Sequence, residues 1–393
     1  MKNYLLLFLL ISLSWSTYAI RKPEPIVTGA EQTASYMHLL KNKRVALLVN
    51  QTSMIGSVHL VDTLLYAKIN IVKIFAPEHG FRGTADAGEK VKSGIDTKTG
   101  LTITSMYGAS KKPSKESMKG IDIVVFDIQD VGARFYTYIS SMQYMMEACA
   151  ETGITMLILD RPNPNGFYVD GPVLEKKYQS FVGMQRVPIV HGMTVAEYAQ
   201  MLNGEKWLNQ GKKCALKIIS CKNYTHRSRY HVPIPPSPNL KTDAAILLYP
   251  SLCLFEGTNV SVGRGTETPF EVWGHPDFKN MDFEFTPVSM EGAKNPPLEG
   301  KVCYGMDLHQ PMAKLNNLLK NQMNLDFLIE AYKETSDTSK FFNSFFEKLA
   351  GTASLRKQIQ QKVAVNDIRK SWQRELSLFK KTRKKYLLYP DFE

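Results

Sequence analysis

Four runs of apolar, largely β-branched residues constrain this chain more than anything else in it: residues 44–49 (RVALLV), 69–76 (INIVKIFA), 121–126 (IDIVVF) and 154–159 (ITMLIL). None alternates apolar with polar positions. Such runs bury side chains on both faces, which suits a parallel sheet covered by helices on each side. Residues 215–220 (ALKIIS) read as a further strand. Between the runs, Tyr138, Met142, Met145 and Cys149 recur at helical spacing, and Thr194 to Glu197 has the form of a capping box ahead of Val195, Tyr198, Ala199 and Leu202. Strand and helix in alternation predict an α/β domain with a Rossmann-like, mostly parallel sheet.

The chain has 393 residues, too many for one ordinary domain at roughly 150 residues each. The texture changes at residues 233–238 (PIPPSP), which exclude helix and central strand. We therefore expect an α/β, Rossmann-like domain over residues 20–238 and a smaller α+β domain over 239–393. In the second part, Phe341, Phe342, Phe345, Phe346 and Leu349 form one aromatic stripe that Gly351 stops, and Ile368, Trp372, Leu376 and Phe379 form another. Both read as core. The basic run Lys380, Lys381, Arg383, Lys384 and Lys385 reads as a solvated helix end, where cations favour the helix dipole.

A net charge of +12 suits an acidic partner: nucleic acid, an anionic membrane or an acidic small substrate. Lys2, an apolar run over residues 4–13 and the small-x-small pattern Thr17-Tyr18-Ala19 read as a signal peptide over residues 1–19. The run is too short to span a bilayer, so no stable membrane insertion is expected. The protein is expected to be exported, periplasmic or secreted, which moves nucleic acid far down the order of partners. Five cysteines are too few and odd in number for a disulfide scaffold. With a strand between them, Cys214 and Cys221 lie too far apart to bridge. No CxxC or HExxH occurs, and no metal site is expected.

Ligands of open parallel sheets bind at the carboxyl ends of the strands. Here those ends carry Asn50, Glu78 with His79, Asp127 with Asp130, and Asp160-Arg161 followed by Asn163. The first strand leads into NQTSMIG rather than GxGxxG, so no dinucleotide cofactor is expected. Glu78 stands in PEHGFRG, where Phe81 could cover it; a carboxyl beside apolar surface serves as a general acid near neutral pH. The plainer alternative is an ion pair with Arg82. Asp127, Asp130, Glu256, Glu267 and Glu271 are candidates for a second carboxylate, as glycoside hydrolysis requires. Arg82, Arg134, Arg161 and Arg264 are candidates to hold a substrate carboxylate. The polar and aromatic stretches 131–138 and 255–271 add Tyr136 and Asn259 as substrate contacts, and Asn239 and His191 join them, the latter equally as a supporting group.

The segments VALLVNQTS, FAPEHGFRG, VFDIQDVGARFYTYIS, LDRPNPNG, DGPVL, HGMTVAEYA, PPSPNL, FEGTNVSVGRGTETPFE and KKYLLY, in one order over nearly the whole chain, resemble those of the exo-β-N-acetylmuramidase family, long catalogued as a domain of unknown function. The resemblance implies a Rossmann-like N-terminal domain, a smaller C-terminal domain and a cleft between them. It also implies release of N-acetylmuramic acid (MurNAc) from MurNAc-N-acetylglucosamine glycan ends of peptidoglycan, without a dinucleotide. Because PEHGFRG is intact, it assigns Glu78 as the catalytic carboxylate. Two readings from other classes are a periplasmic sugar-binding protein without turnover and a metal hydrolase using His79, Asp127, Asp130 and His191.

Overall fold

The structure, a computed structural model, describes residues 24–81, 89, 93–108 and 111–393; the segment read as a signal peptide and Arg82 lie outside them. The described residues form a seven-stranded sheet from β1 (Val45–Val49), β2 (Ile71–Ala76), β3 (Gly94–Ile95), β4 (Thr102–Ser105), β5 (Ile123–Asp127), β6 (Thr155–Leu159) and β7 (Leu216–Ile219), in the order β3-β4-β2-β1-β5-β6-β7. All pairs are parallel except β3 with β4 at the edge. β1 and β5 are buried at every position, as their unbroken apolar sequences require. Ala46 and Leu48 face one core, while Val45, Leu47 and Val49 face the other. The fold is therefore α/β and doubly wound.

Helix Tyr138–Thr152 buries Tyr138, Met142, Met145 and Cys149 and ends at Gly153, whose φ of 71° closes the helix in the left-handed conformation that glycine adopts without strain. Helix Val195–Gly204 starts from the capping box, with Thr194 and Glu197 exchanging hydrogen bonds. The smaller C-terminal part holds an antiparallel sheet of β8 (Val272–His275), β9 (Phe283–Phe285) and β10 (Cys303–Asp307), flanked by helices including Val365–Arg383. One hydrophobic core runs from Met142 and Ala196 of the first part to Trp273, Phe346 and Trp372 of the second. The two parts are thus held together by burial of apolar area.

One expectation for the C-terminal part needs correction. The basic run is not wholly solvated: Arg383 is fully buried, donating to the Gly192 carbonyl at 2.9 and 2.7 Å and to Asp391. The Phe341–Leu349 stripe is core as expected, with Phe341, Phe342, Phe346 and Leu349 buried, although only Phe346–Ala350 is helical and Phe345 and Leu349 also border a cavity. Among the described residues no helix is long and apolar enough to cross a membrane.

Candidate active site

The chain runs outward from β1 through β2 and β4, then returns to β5 on the other side of β1. The carboxyl ends of β1 and β5 therefore flank the crevice where an open sheet ordinarily receives its ligand. Side chains fill that crevice. Arg161 grips Asp127 with two bonds, Nε to Oδ1 at 2.5 Å and Nη2 to Oδ2 at 2.9 Å, and donates to the Met54 carbonyl. The Ser53 hydroxyl bonds the Asp127 carbonyl. Asn50 Oδ1 accepts from the Thr52 amide and hydroxyl, and Thr52 in turn accepts from the Gln129 amide. Asn50, Asp127 and Arg161 are thus bonded within this crevice, Asn50 Nδ2 alone of their side-chain atoms being buried without a hydrogen-bond partner, and none of the three lines the cavity described below.

Several other candidates are also placed away from the cavity described below. Arg134 is buried and spends its guanidinium on the carbonyls of Pro172, Val187 and Leu349. Asn163 bonds Asn165 and the Met193 carbonyl beneath Gly132, where a Cβ would stand 2.1 Å from Asn163 Oδ1 and where φ is 78°. His191 is buried against Tyr198, with Nδ1 accepting from the Met193 amide; burial, then the charges of Arg383 and Arg134, pull its proton affinity down to about 3, so it is neutral. Asn239 supports the Gly292 carbonyl, and the Asn259 amide donates to Phe341. Glu267 is exposed beside Lys241, and Glu271 is buried between Thr242 and His309. None of these residues lines the cavity described next.

Asp130 is also buried outside that cavity. Its Oδ1 accepts from the Gly132 amide at 2.7 Å, and its Oδ2 has no hydrogen-bond partner. Burial pushes its carboxyl up to about 7, against the pull of the Gly132 and Val131 amides. The unfolded value is about 3.9. Between roughly pH 4 and 7 the folded chain therefore binds the extra proton, stability falls as pH rises through that window, and the loss is constant above it. Asp130→Asn keeps the acceptor for Gly132 and removes the ionisation. We expect it to raise unfolding free energy by on the order of 2–4 kcal/mol at pH 8 and to change it little at pH 4. Equal gains in urea midpoint at both pH values would contradict this.

The cavity lies one strand over, beyond the carboxyl end of β2. It measures about 230 Å³, commensurate with one sugar ring and its substituents rather than a length of glycan. Glu78, His79, Tyr107, Tyr136 and Thr137 line it together with Ser237, Tyr249, Glu256, Arg264, Phe270 and Phe345. Of the four strand ends that the sequence singled out, only Glu78-His79 reaches it. The turn explains why: after Pro77, His79 and Gly80 take φ of 67° and 77°, folding the backbone so that the Gly80 amide donates to the Pro77 carbonyl. A left-handed histidine is uncommon and costs backbone strain, and such residues cluster at functional sites.

Glu78 Oε2 accepts the Thr137 hydroxyl at 2.5 Å, and the Tyr107 phenol also bonds this carboxylate. Burial first, then the charge of Glu78, holds the Tyr107 proton more tightly than usual. A hydroxyl can turn from donor to acceptor, so the cradle serves Glu78 in either protonation state. Phe81, expected as a cover for Glu78, packs edge-on against His59 at 5.2 Å. In the same lining, Glu256 Oε1 accepts from Arg264 Nε at 2.7 Å and stays part-exposed, with 27% of its side chain open. Burial disfavours the Arg264 cation, but Glu256 more than offsets this and keeps the guanidinium charged. Of the five residues considered for a second carboxylate, Glu256 alone shares the cavity with Glu78.

Tyr136 presents its ring to the cavity while its hydroxyl and that of Tyr138 both donate to the Pro236 carbonyl at 2.8 Å. The proline-dense segment is thereby a fixed part of the wall. Tyr107, Thr137, Ser237, Tyr249 and Phe345 were not among the expected contacts. Among the described residues no three His, Cys, Asp or Glu side chains gather as metal ligands, and the set His79, Asp127, Asp130 and His191 is not assembled, since Arg161 takes Asp127 and the latter two lie buried elsewhere.

Comparison with known proteins agrees with this architecture. The family model described as exo-beta-N-acetylmuramidase NamZ, N-terminal, matches residues 45–244, and its C-terminal counterpart matches residues 247–389. The chain is 38% identical over 389 residues to the peptidoglycan beta-N-acetylmuramidase NamZ of Bacillus subtilis strain 168, covering 94% of this chain and 92% of that protein. Two crystal structures of DUF1343 family proteins from Bacteroides fragilis NCTC 9343 superpose on it. One is 51% identical with a TM-score of 0.87, over 94% of this chain and all of the other; the second is 28% identical with a TM-score of 0.74, over 93% and 99%.

Proposed function

The chain belongs to the exo-β-N-acetylmuramidase family, and on that premise we propose that it is an exported, exo-acting glycoside hydrolase that releases MurNAc from the non-reducing ends of peptidoglycan fragments. The observation that carries this reading is that two carboxylates, Glu78 and Glu256, line one cavity of about 230 Å³. Cleavage of a glycosidic bond passes through a cationic, oxocarbenium-like state and needs a proton at the departing oxygen. Glu78, in its hydroxyl cradle, supplies the proton. Glu256, ion-paired with Arg264, supplies negative charge towards the anomeric carbon. Tyr136, Tyr249 and Phe270 offer apolar ring faces to the sugar.

A cavity with about the volume of one sugar favours a chain end over an internal unit. The lactyl carboxylate of the sugar suits a protein of net charge +12, and the charge-apolar-small order of residues 1–19 supports export to the compartment of the wall. The test is incubation with peptide-free β-linked MurNAc-N-acetylglucosamine and with the disaccharide of reversed order. Free MurNAc is expected from the first and nothing from the second. Thermal stabilisation by the disaccharide without any product would instead indicate a binding protein and overturn the reading.

A further inference from the structure

The aromatic wall of the cavity does not end at its mouth. Tyr107, which lines the cavity and bonds Glu78, meets Phe181 with ring centroids 5.9 Å apart, and Phe181 stacks on Tyr144 at 6.0 Å with the planes only 10° apart. All three rings are half-buried, neither lost in the core nor free. Lys111 Nζ lies over them, 5.0 Å from the Phe181 centroid and 5.8 Å from that of Tyr107. The strip is rigid: Tyr144 stands on helix Tyr138–Thr152, and Ser140 of the same helix donates to the Phe181 carbonyl at 2.7 Å. Reciprocal backbone bonds between Ser180 and Gly183 close the turn that carries Phe181.

The bond being cut must lie at Glu78, with one sugar inside the cavity and the other outside it. Tyr107 touches Glu78, so the strip begins where the outer sugar has to lie. Ring faces stack on the C–H face of a pyranose, and an ammonium above them offers donors to hydroxyls and an acetamide carbonyl. We propose that Tyr107, Phe181 and Tyr144, with Lys111, form the platform that binds the leaving sugar, the N-acetylglucosamine side of the scissile bond. This rests on the cavity being the terminal muramyl pocket.

Two substrates separate the platform from the pocket: the β-linked MurNAc-N-acetylglucosamine disaccharide, and β-muramyl fluoride, whose leaving group carries no sugar. Phe181→Ala is expected to lower kcat/KM on the disaccharide about ten-fold, the loss of one stacking contact, and to leave fluoride hydrolysis within about two-fold of the parent. Phe181→Leu, which keeps apolar bulk without a ring face, is expected to show the same split. Fluoride turnover reports that each variant is folded. Equal losses on both substrates, or no loss on either, would overturn the platform. A parent protein inert towards both would overturn the muramidase reading itself, a different result from either.

Discussion

Glu78→Gln is expected to lose about 10²- to 10⁴-fold in kcat on the muramyl disaccharide, the range general acid catalysis contributes, with the urea midpoint unchanged. Glutamine can still accept from the Thr137 hydroxyl that holds Glu78 Oε2, so the cradle stays filled and the turn after β2 keeps its shape. What disappears is the proton. β-Muramyl fluoride, whose departing group needs little protonation, should be spared relative to the disaccharide, which distinguishes loss of an acid from loss of substrate binding. A variant with disaccharide turnover within a few-fold of the parent would remove Glu78 from the chemistry.

The second large effect concerns stability. Asp127→Ala leaves the Arg161 guanidinium buried, its side chain only 4% exposed, with no counter-charge and one remaining acceptor in the Met54 carbonyl. Breaking a buried pair from one side costs about 3–5 kcal/mol. The urea midpoint should fall accordingly, while the fraction that stays folded hydrolyses the disaccharide normally. Replacing both members, Asp127→Leu with Arg161→Met, should recover much of the loss, because two charges no longer need desolvation. If Asp127 were instead a catalytic carboxylate, Asp127→Ala would abolish turnover at full stability, and the crevice assignment would be wrong.

These two residues illustrate how far the amino-acid sequence could be read. β1, β2, β5 and β6 were legible because strands buried on both faces are dominated by apolar positions, and that placed Glu78 and Asp127 correctly at strand ends. Strand ends alone do not say which way a side chain points. An arginine next to a sheet opening looks the same in sequence whether it faces a ligand or, like Arg134 and Arg161, bonds carbonyls and a buried aspartate. Residue counting cannot separate these cases, since the deciding partners are tens to hundreds of positions away.

The missing half of the site has a more specific cause. β4 is four residues long, TITS, and partly exposed, so it carries no apolar signal. Had it been recognised, its pairing of Ser105 with Ala76 would have put Tyr107 beside Glu78. Phe345 and Leu349 were read as core, and they are, but they also border the cavity, which a stripe at helical spacing does not reveal. Glu256 was one of five acidic candidates until its place in the cavity lining beside Arg264 singled it out.

The most direct measurement is a crystal structure of Glu78→Gln soaked with intact MurNAc-N-acetylglucosamine. The muramyl ring should fill the cavity between the residue-78 turn and Glu256, with the residue-78 side chain about 2.6–3.2 Å from the bridging oxygen. The second sugar should rest against Tyr107 and Phe181. A disaccharide seated in the β1–β5 crevice, or with its bridging oxygen out of reach of residue 78, would contradict the assignment of this cavity as the place where the bond is cut.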